Sequence, residues 1–163
     1  MCMRVAAGRC HAVLLTNHGA AVACGSYEDG QCNLPVLVLG QTYTQVAAGE
    51  RHTVLLTNDG VAVACGSNFD DQCDLPALIR GRIYTQIAPG RLHTVLLKSD
   101  GTAVASGESG SRQCEIPQLV SDQTYTHVTS GQFHIALFKC DSTVVACGSN
   151  DDDQFDIPAL VAG

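Results

Sequence analysis

The chain has 163 residues, a formal net charge of -7 and a pI of about 5.1, with 45% hydrophobic and 15% charged residues. This is a globular composition of single-domain size, which excludes a disordered chain. Without a run of Lys and Arg, the acidic chain is poorly suited to nucleic acid or an anionic membrane surface, and a basic protein partner is the better electrostatic match.

The opening residues MCMRVAAGRCHAV show no basic segment followed by an apolar run, and no apolar stretch approaches the roughly 20 residues that span a bilayer. An intracellular setting, cytoplasmic or nuclear, is therefore expected. The nine cysteines are an odd number and fit free thiols at least as well as disulfides.

Val5, Val46, Ile87 and Val128 each open a similar block, 41 residues after the last. Val5–Gln45 and Val46–Gln86 agree at 27 of 41 positions without a gap. Five columns recur in all four copies: Gly8/Gly49/Gly90/Gly131, His11/His52/His93/His134, Gly25/Gly66/Gly107/Gly148, Gln31/Gln72/Gln113/Gln154 and Pro35/Pro76/Pro117/Pro158. The chain thus reads as one repeat domain, 1–163, with repeats at about 1–40, 41–81, 82–122 and 123–163. Met1–Arg4 aligns with Thr42–Gln45, so the first repeat is expected to carry its own first strand.

The second repeat gives the elements in chain order. Thr42–Ala48 is rich in β-formers and ends in the small residues of VAAG, which suit strands converging near an axis. His52–Thr57 predicts a second strand. Asn58-Asp59-Gly60 predicts a hairpin turn, and Val61–Gly66 the returning third strand. Ser67–Asp71 reads as a polar loop. Gln72–Leu75 is expected to form a short fourth strand, ended by Pro76, which has no N–H for a ladder. No segment sustains a 3.6-residue period. The expected fold is all-β: a β-propeller, or an arc of one, of four-stranded blades that cover each other's faces.

The stretch VAAGERHTVLLTNDGVAVACGSNFDDQC resembles the repeat of the regulator of chromosome condensation family, with its Ala-Gly, His-Thr, Asp-Gly turn, aromatic-Gly and Asn-x-x-Gly-Gln in that order. The short period and the Gln-Cys-Asp-Leu-Pro ending are also similar to repeats of the β-lactamase inhibitor protein II type. Both resemblances imply a propeller, seven-bladed in the known members. Three departures stand out. Cys24, Cys65, Ser106 and Cys147 replace the usual Trp, which excludes the ultraviolet-photoreceptor branch; GQCN, DQCD, RQCE and DQFD replace Gly-Gln-Leu-Gly; and there are four repeats. Four repeats imply a gene fragment, a small ring or half of an assembly. No copy carries the Trp-Asp or Gly-His pair of WD-type repeats.

Candidate chemistry is sparse. A ring of His11, His52, His93 and His134 could hold a metal if all pointed to one axis, but the expected role is a strand-start hydrogen bond to nearby backbone. His18 and His127 read as surface residues. The cysteines allow pairing within repeats (Cys24 with Cys32, Cys65 with Cys73) or between neighbours (Cys32 with Cys65, Cys114 with Cys147). Neither scheme holds in all four copies, and free thiols that fill space are expected. No nucleophile elbow, Walker loop or zinc-protease motif is present. An enzymatic role, a cofactor and a metal are accordingly not expected.

The loops SYEDG, SNFDD, ESGSR and SNDDD vary while the strands around them do not. Being equivalent, they are expected to gather Glu28, Asp29, Asp70, Asp71, Glu108, Asp151, Asp152 and Asp153 on one rim, either as a solvated surface or as a partner-binding face. The leading functional expectation is a non-enzymatic protein-interaction module, with self-association through its terminal blades. The resemblance implies two alternatives, a guanine-nucleotide exchange factor for a small GTPase or the propeller piece of a HECT-type ubiquitin ligase.

Overall fold

The computed structural model describes residues 4–79 and 81–156. All of its regular structure is β, in four antiparallel sheets of three strands each. They are β1 (Arg4–Ala7), β2 (His11–Leu15) and β3 (Ala21–Gly25); β4 (Tyr43–Ala48), β5 (His52–Thr57) and β6 (Ala62–Gly66); β7 (Tyr84–Pro89), β8 (His93–Lys98) and β9 (Ala103–Gly107); and β10 (Tyr125–Ser130), β11 (His134–Lys139) and β12 (Val144–Gly148). The register repeats from blade to blade: His11 faces Gly25, His52 faces Gly66, His93 faces Gly107 and His134 faces Gly148. The fold is that of propeller blades in tandem.

Each blade has three strands where four were expected. The segment after the third strand turns on itself and spends most of its backbone donors locally, which leaves no run of them for a ladder. In the second repeat the Cys73 N–H donates to the Asn68 side chain at 2.7 Å and the Leu75 N–H to the Cys73 carbonyl, while Pro76 has no N–H. The segment instead straps the blade to its successor. Tyr84 donates its hydroxyl hydrogen to the Pro76 carbonyl, as Tyr43 does to Pro35 and Tyr125 to Pro117. Leu75 and Leu78 of the strap pack on Leu56, Tyr84 and Leu96. Pro158 and its equivalent strap lie outside the described residues.

Blade faces meet through aliphatic pairs. Leu15 and Ala21 of the first blade pack against Tyr43, Val46, Leu55 and Val63 of the second. The joint between the third and fourth blades buries Val95, Leu97, Tyr125, Ile135 and Leu137 in the same way.

Two glycine columns have clear physical causes. Gly66 holds φ at 118°, and an added Cβ there would lie 2.5 Å from the Arg51 carbonyl oxygen. A Cβ at Gly49 would strike the His52 ring and lie 2.6 Å from the Gly90 carbonyl oxygen of the next blade, so the inner turns approach closely only because they carry no side chain there.

Candidate functional site: the loop face and its axial mouth

Because β2 begins where β3 ends, the loop after each third strand emerges beside the turn between the first two strands. The Ser26 N–H donates to the Cys10 carbonyl at 2.8 Å, and Ser67, Glu108 and Ser149 repeat this bond to Arg51, Leu92 and Phe133. The four acidic loops therefore share one face with the four Gly-containing inner turns.

On that face Glu28, Asp71, Asp151, Asp152 and Asp153 are exposed, while Asp29, Asp70 and Glu108 are half-buried. Asp29 accepts from Arg51 at 3.3 Å, and Glu108 accepts from the Gly110 N–H and the Gln113 amide, so these two also hold the loops in shape. Each loop folds around its buried glutamine: Gln31, Gln72 and Gln113 are fully buried and accept the N–H of Asp29, Asp70 and Ser111. Gln154 does the same for Asp152 from a half-buried position. The loops also display two aromatic side chains that the acidic pattern hid, Phe69 at 91% and Tyr27 at 60% exposure.

The histidines lie beneath this face, between blades. The His11 Nε2 and the Thr53 hydroxyl of the next blade are 2.9 Å apart, and His52 and Thr94 are 3.0 Å apart. Each threonine gives its own hydrogen to the preceding Gln31 or Gln72 carbonyl, so the imidazole must be the donor and its Nε2 carries the proton. The partner is thus a side chain of the neighbouring blade, where a nearby backbone group was expected. In the fourth blade Ile135 occupies the threonine position, and both nitrogens of His93 lack a partner among the described residues. Burial, then repulsion from His93 and His11, lowers the pKa of His52 to about 4. Burial likewise takes His93 to about 4, with His134 adding to the fall and Glu108 opposing it. His18 and His127 stand exposed.

Eight cysteines are described, and all eight are free thiols. Cys32 and Cys73 donate to the Ser26 and Ser67 carbonyls. Burial pushes the thiols of Cys65 and Cys147 up to about 11 and that of Cys73 up to about 12, which suppresses their nucleophilicity.

At the centre of the face is a cavity of about 600 Å³, lined by the inner turns of all four repeats: Ala7-Gly8-Arg9, Ala48-Gly49-Glu50, Pro89-Gly90-Arg91 and Ser130-Gly131-Gln132. Glu50 accepts from Arg9 at 2.8 Å and from Arg91 at 2.6 Å, and lies 3.9 Å from Arg51. Burial alone would raise the Glu50 pKa, but the bonds from Arg9 and Arg91 outweigh it and hold the carboxyl below its usual range. The Arg91 guanidinium sits 5.1 Å above the Phe133 ring. These arginines are far apart in sequence, which is why the chain shows no basic run and the fold nonetheless gathers one. The readable signal was that the residue after each central glycine varies: Arg9, Glu50, Arg91, Gln132.

Sheets of this kind, set in tandem around an inner row of glycine turns, define a β-propeller repeat protein. Residues 43–72 match the model of the regulator of chromosome condensation (RCC1) repeat, so the chain carries the repeat that its sequence resembles. Among solved structures it is similar to Prp20p from Saccharomyces cerevisiae, with a TM-score of 0.76 and 20% identity over 89% of this chain and 44% of that one. Human WBSCR16 gives a TM-score of 0.76 and 20% identity over 90% of this chain and 47% of that one. The ectodomain of the receptor kinase CR4 from Physcomitrella patens gives 0.68 and 16%, over 89% and 38%. The chain thus spans less than half the length of each of these three structures. A search of curated proteins finds no match.

Proposed function

We propose that the chain is a non-enzymatic protein-interaction module whose loop face captures a basic partner. The observation that carries this reading is the composition of that face: five exposed carboxylates share it with the exposed aromatic side chains Phe69 and Tyr27. A rim that only kept the chain soluble would have no use for the aromatics, whereas aromatic anchors ringed by charge are the usual energetic centres of protein interfaces. Prp20p, whose fold this chain shares, binds Gsp1p and histones. Histones are cationic, the chemistry proposed for the partner here.

Crowded like charges on the rim repel by a few tenths of a kcal/mol per pair, and a basic ligand relieves that repulsion, so capture should weaken with salt. The test compares capture from lysate at low and high salt by the parent chain, by a variant with Asp70, Asp71, Asp151, Asp152 and Asp153 changed to Asn, and by Phe69→Ala. Both variants are expected to keep the parent melting temperature and lose the partner. Unchanged partners with unchanged salt dependence would place the binding face elsewhere. The exchange-factor alternative predicts accelerated nucleotide release from a small GTPase, which the proposed reading expects not to see.

Self-association through the outer blades belongs to the same proposal. Val5 and Val22 of the first blade are 65% and 58% exposed, although their counterparts Val46 and Val63 pack against the preceding blade.

A further inference from the structure

The axial mouth carries chemistry opposite to that of the rim around it. Arg9, Arg51 and Arg91 surround Glu50, and Asp29 holds Arg51, so three guanidinium groups meet two carboxylates. Arg9 spends one N–H on Glu50 through Nη1, and Arg91 one through Nε. Neither has a second acceptor among the described residues, although a guanidinium carries five donors. Arg9 is 61% exposed at its side chain, and Arg91 is steadied against Phe133 with its remaining donors free. Apart from Glu50 and Gln132, the walls beside them are the small residues Gly, Ala, Pro and Ser, which leave room between the two forks.

We propose that this cavity is a binding site for an oxyanion carried by a protein partner, a carboxylate or a phosphate held between the guanidinium groups of Arg9 and Arg91. Planar forks of this kind match either group through paired N–H donors. Glu50 sets the distance between the two arginines and also competes with the ligand for them. The neighbouring acidic loops then select against an anion unless basic residues surround it, so the partner combines a central acidic or phosphorylated side chain with a basic periphery.

The inference goes beyond the rim reading, and the two fail separately. The test uses the full chain and follows the Arg Nε–H resonances by NMR at constant ionic strength. Three probes are titrated: tetraglutamate, a phosphoserine peptide flanked by lysines, and inorganic phosphate. Saturable shifts at Arg9 and Arg91 are expected with at least one peptide. Preference for tetraglutamate assigns the carboxylate, and preference for the phosphopeptide assigns the phosphate. Arg9→Gln and Arg91→Gln should each weaken that binding about tenfold, the scale of one lost charged hydrogen bond. Glu50→Gln should strengthen it severalfold by removing the internal competitor, with a circular dichroism spectrum like the parent's showing that it folds. The five-fold Asn rim variant should still bind tetraglutamate at least as well. Absence of a saturable shift with either peptide, saturation by inorganic phosphate alone, indifference to both arginine substitutions, or weaker binding in the folded Glu50→Gln chain would each overturn the proposal.

Discussion

His52 shows how far one side chain's role can be read before its neighbours are known. Its recurrence every 41 residues marked it as a framework residue, but the hydroxyl that receives its proton belongs to Thr94, a whole repeat away. Its Nδ1 is buried without a partner among the described residues, so a second proton would have to sit in an unsolvated position. The folded pKa of about 4 lies below the ordinary imidazole value of 6.5, so the unfolded chain binds more protons between those values and stability is lost as pH falls through that window. Each of His52 and His93 should cost roughly 3 kcal/mol on going from pH 7 to below pH 4. Thermal melts should therefore drop steeply from about pH 6.5 downward. His52→Gln, whose amide can still donate to Thr94, should flatten that slope while losing some stability at pH 7. An unchanged slope would mean that the histidine charges without opening the joint.

At the scale of the element, the strands and their turns were legible because runs of β-forming residues and an Asp-Gly hairpin are local signals. His52–Thr57 was placed to the residue, and Thr42–Ala48 and Val61–Gly66 each begin one residue earlier than the strands observed. The fourth strand failed because its fate is decided by groups outside the segment. Asn68 takes the Cys73 N–H, and the Tyr84 hydroxyl of the following blade holds the Pro76 carbonyl. The tyrosine column, written Tyr43, Tyr84 and Tyr125, was present in the sequence as a β-former at a strand start, with nothing local to show its bond eight residues back. Tyr84→Phe keeps the ring in the core and leaves the Pro76 carbonyl short of a donor. It should cost about 1–2 kcal/mol in chemical denaturation, and the strap residues 73–79 should exchange amide hydrogens faster than the strands. A neutral substitution would mean that Leu75 and Leu78 alone hold the strap.

Across the whole molecule, the period alone announced blades in tandem, but charge is redistributed by the fold in a way no linear reading conveys. The acidic loops emerge on the face that carries the inner turns. The arginines converge, because a spacing of two repeats, Arg9 to Arg91, becomes a distance spanned by one Glu50 carboxylate. At this scale the exposed Val5 and Val22 on one side and Phe138, 41% exposed, on the other predict concentration-dependent association of the chain with itself. Sedimentation velocity should show the larger species disappear in Val22→Asp and in Phe138→Asp, with the circular dichroism spectrum unchanged. A parent chain that stays monomeric at every concentration would remove self-association from the proposal.

The joint between blades has a further consequence. The contacts that join the first blade to the second, His11 to Thr53 and Leu15 to Tyr43, are those that join the second to the third, His52 to Thr94 and Leu56 to Tyr84. In this buried seam a blade carries no label identifying its neighbour. Unequal crossing-over that duplicated or deleted one 41-residue unit among the first three would leave the buried seam of every surviving joint unchanged, and would alter only surface contacts such as the Glu50 ion pairs with Arg9 and Arg91. The joint to the fourth blade is the exception, since Ile135 offers no hydroxyl to His93. That departure breaks the degeneracy of the buried seam among the described residues and gives the fourth blade an address there.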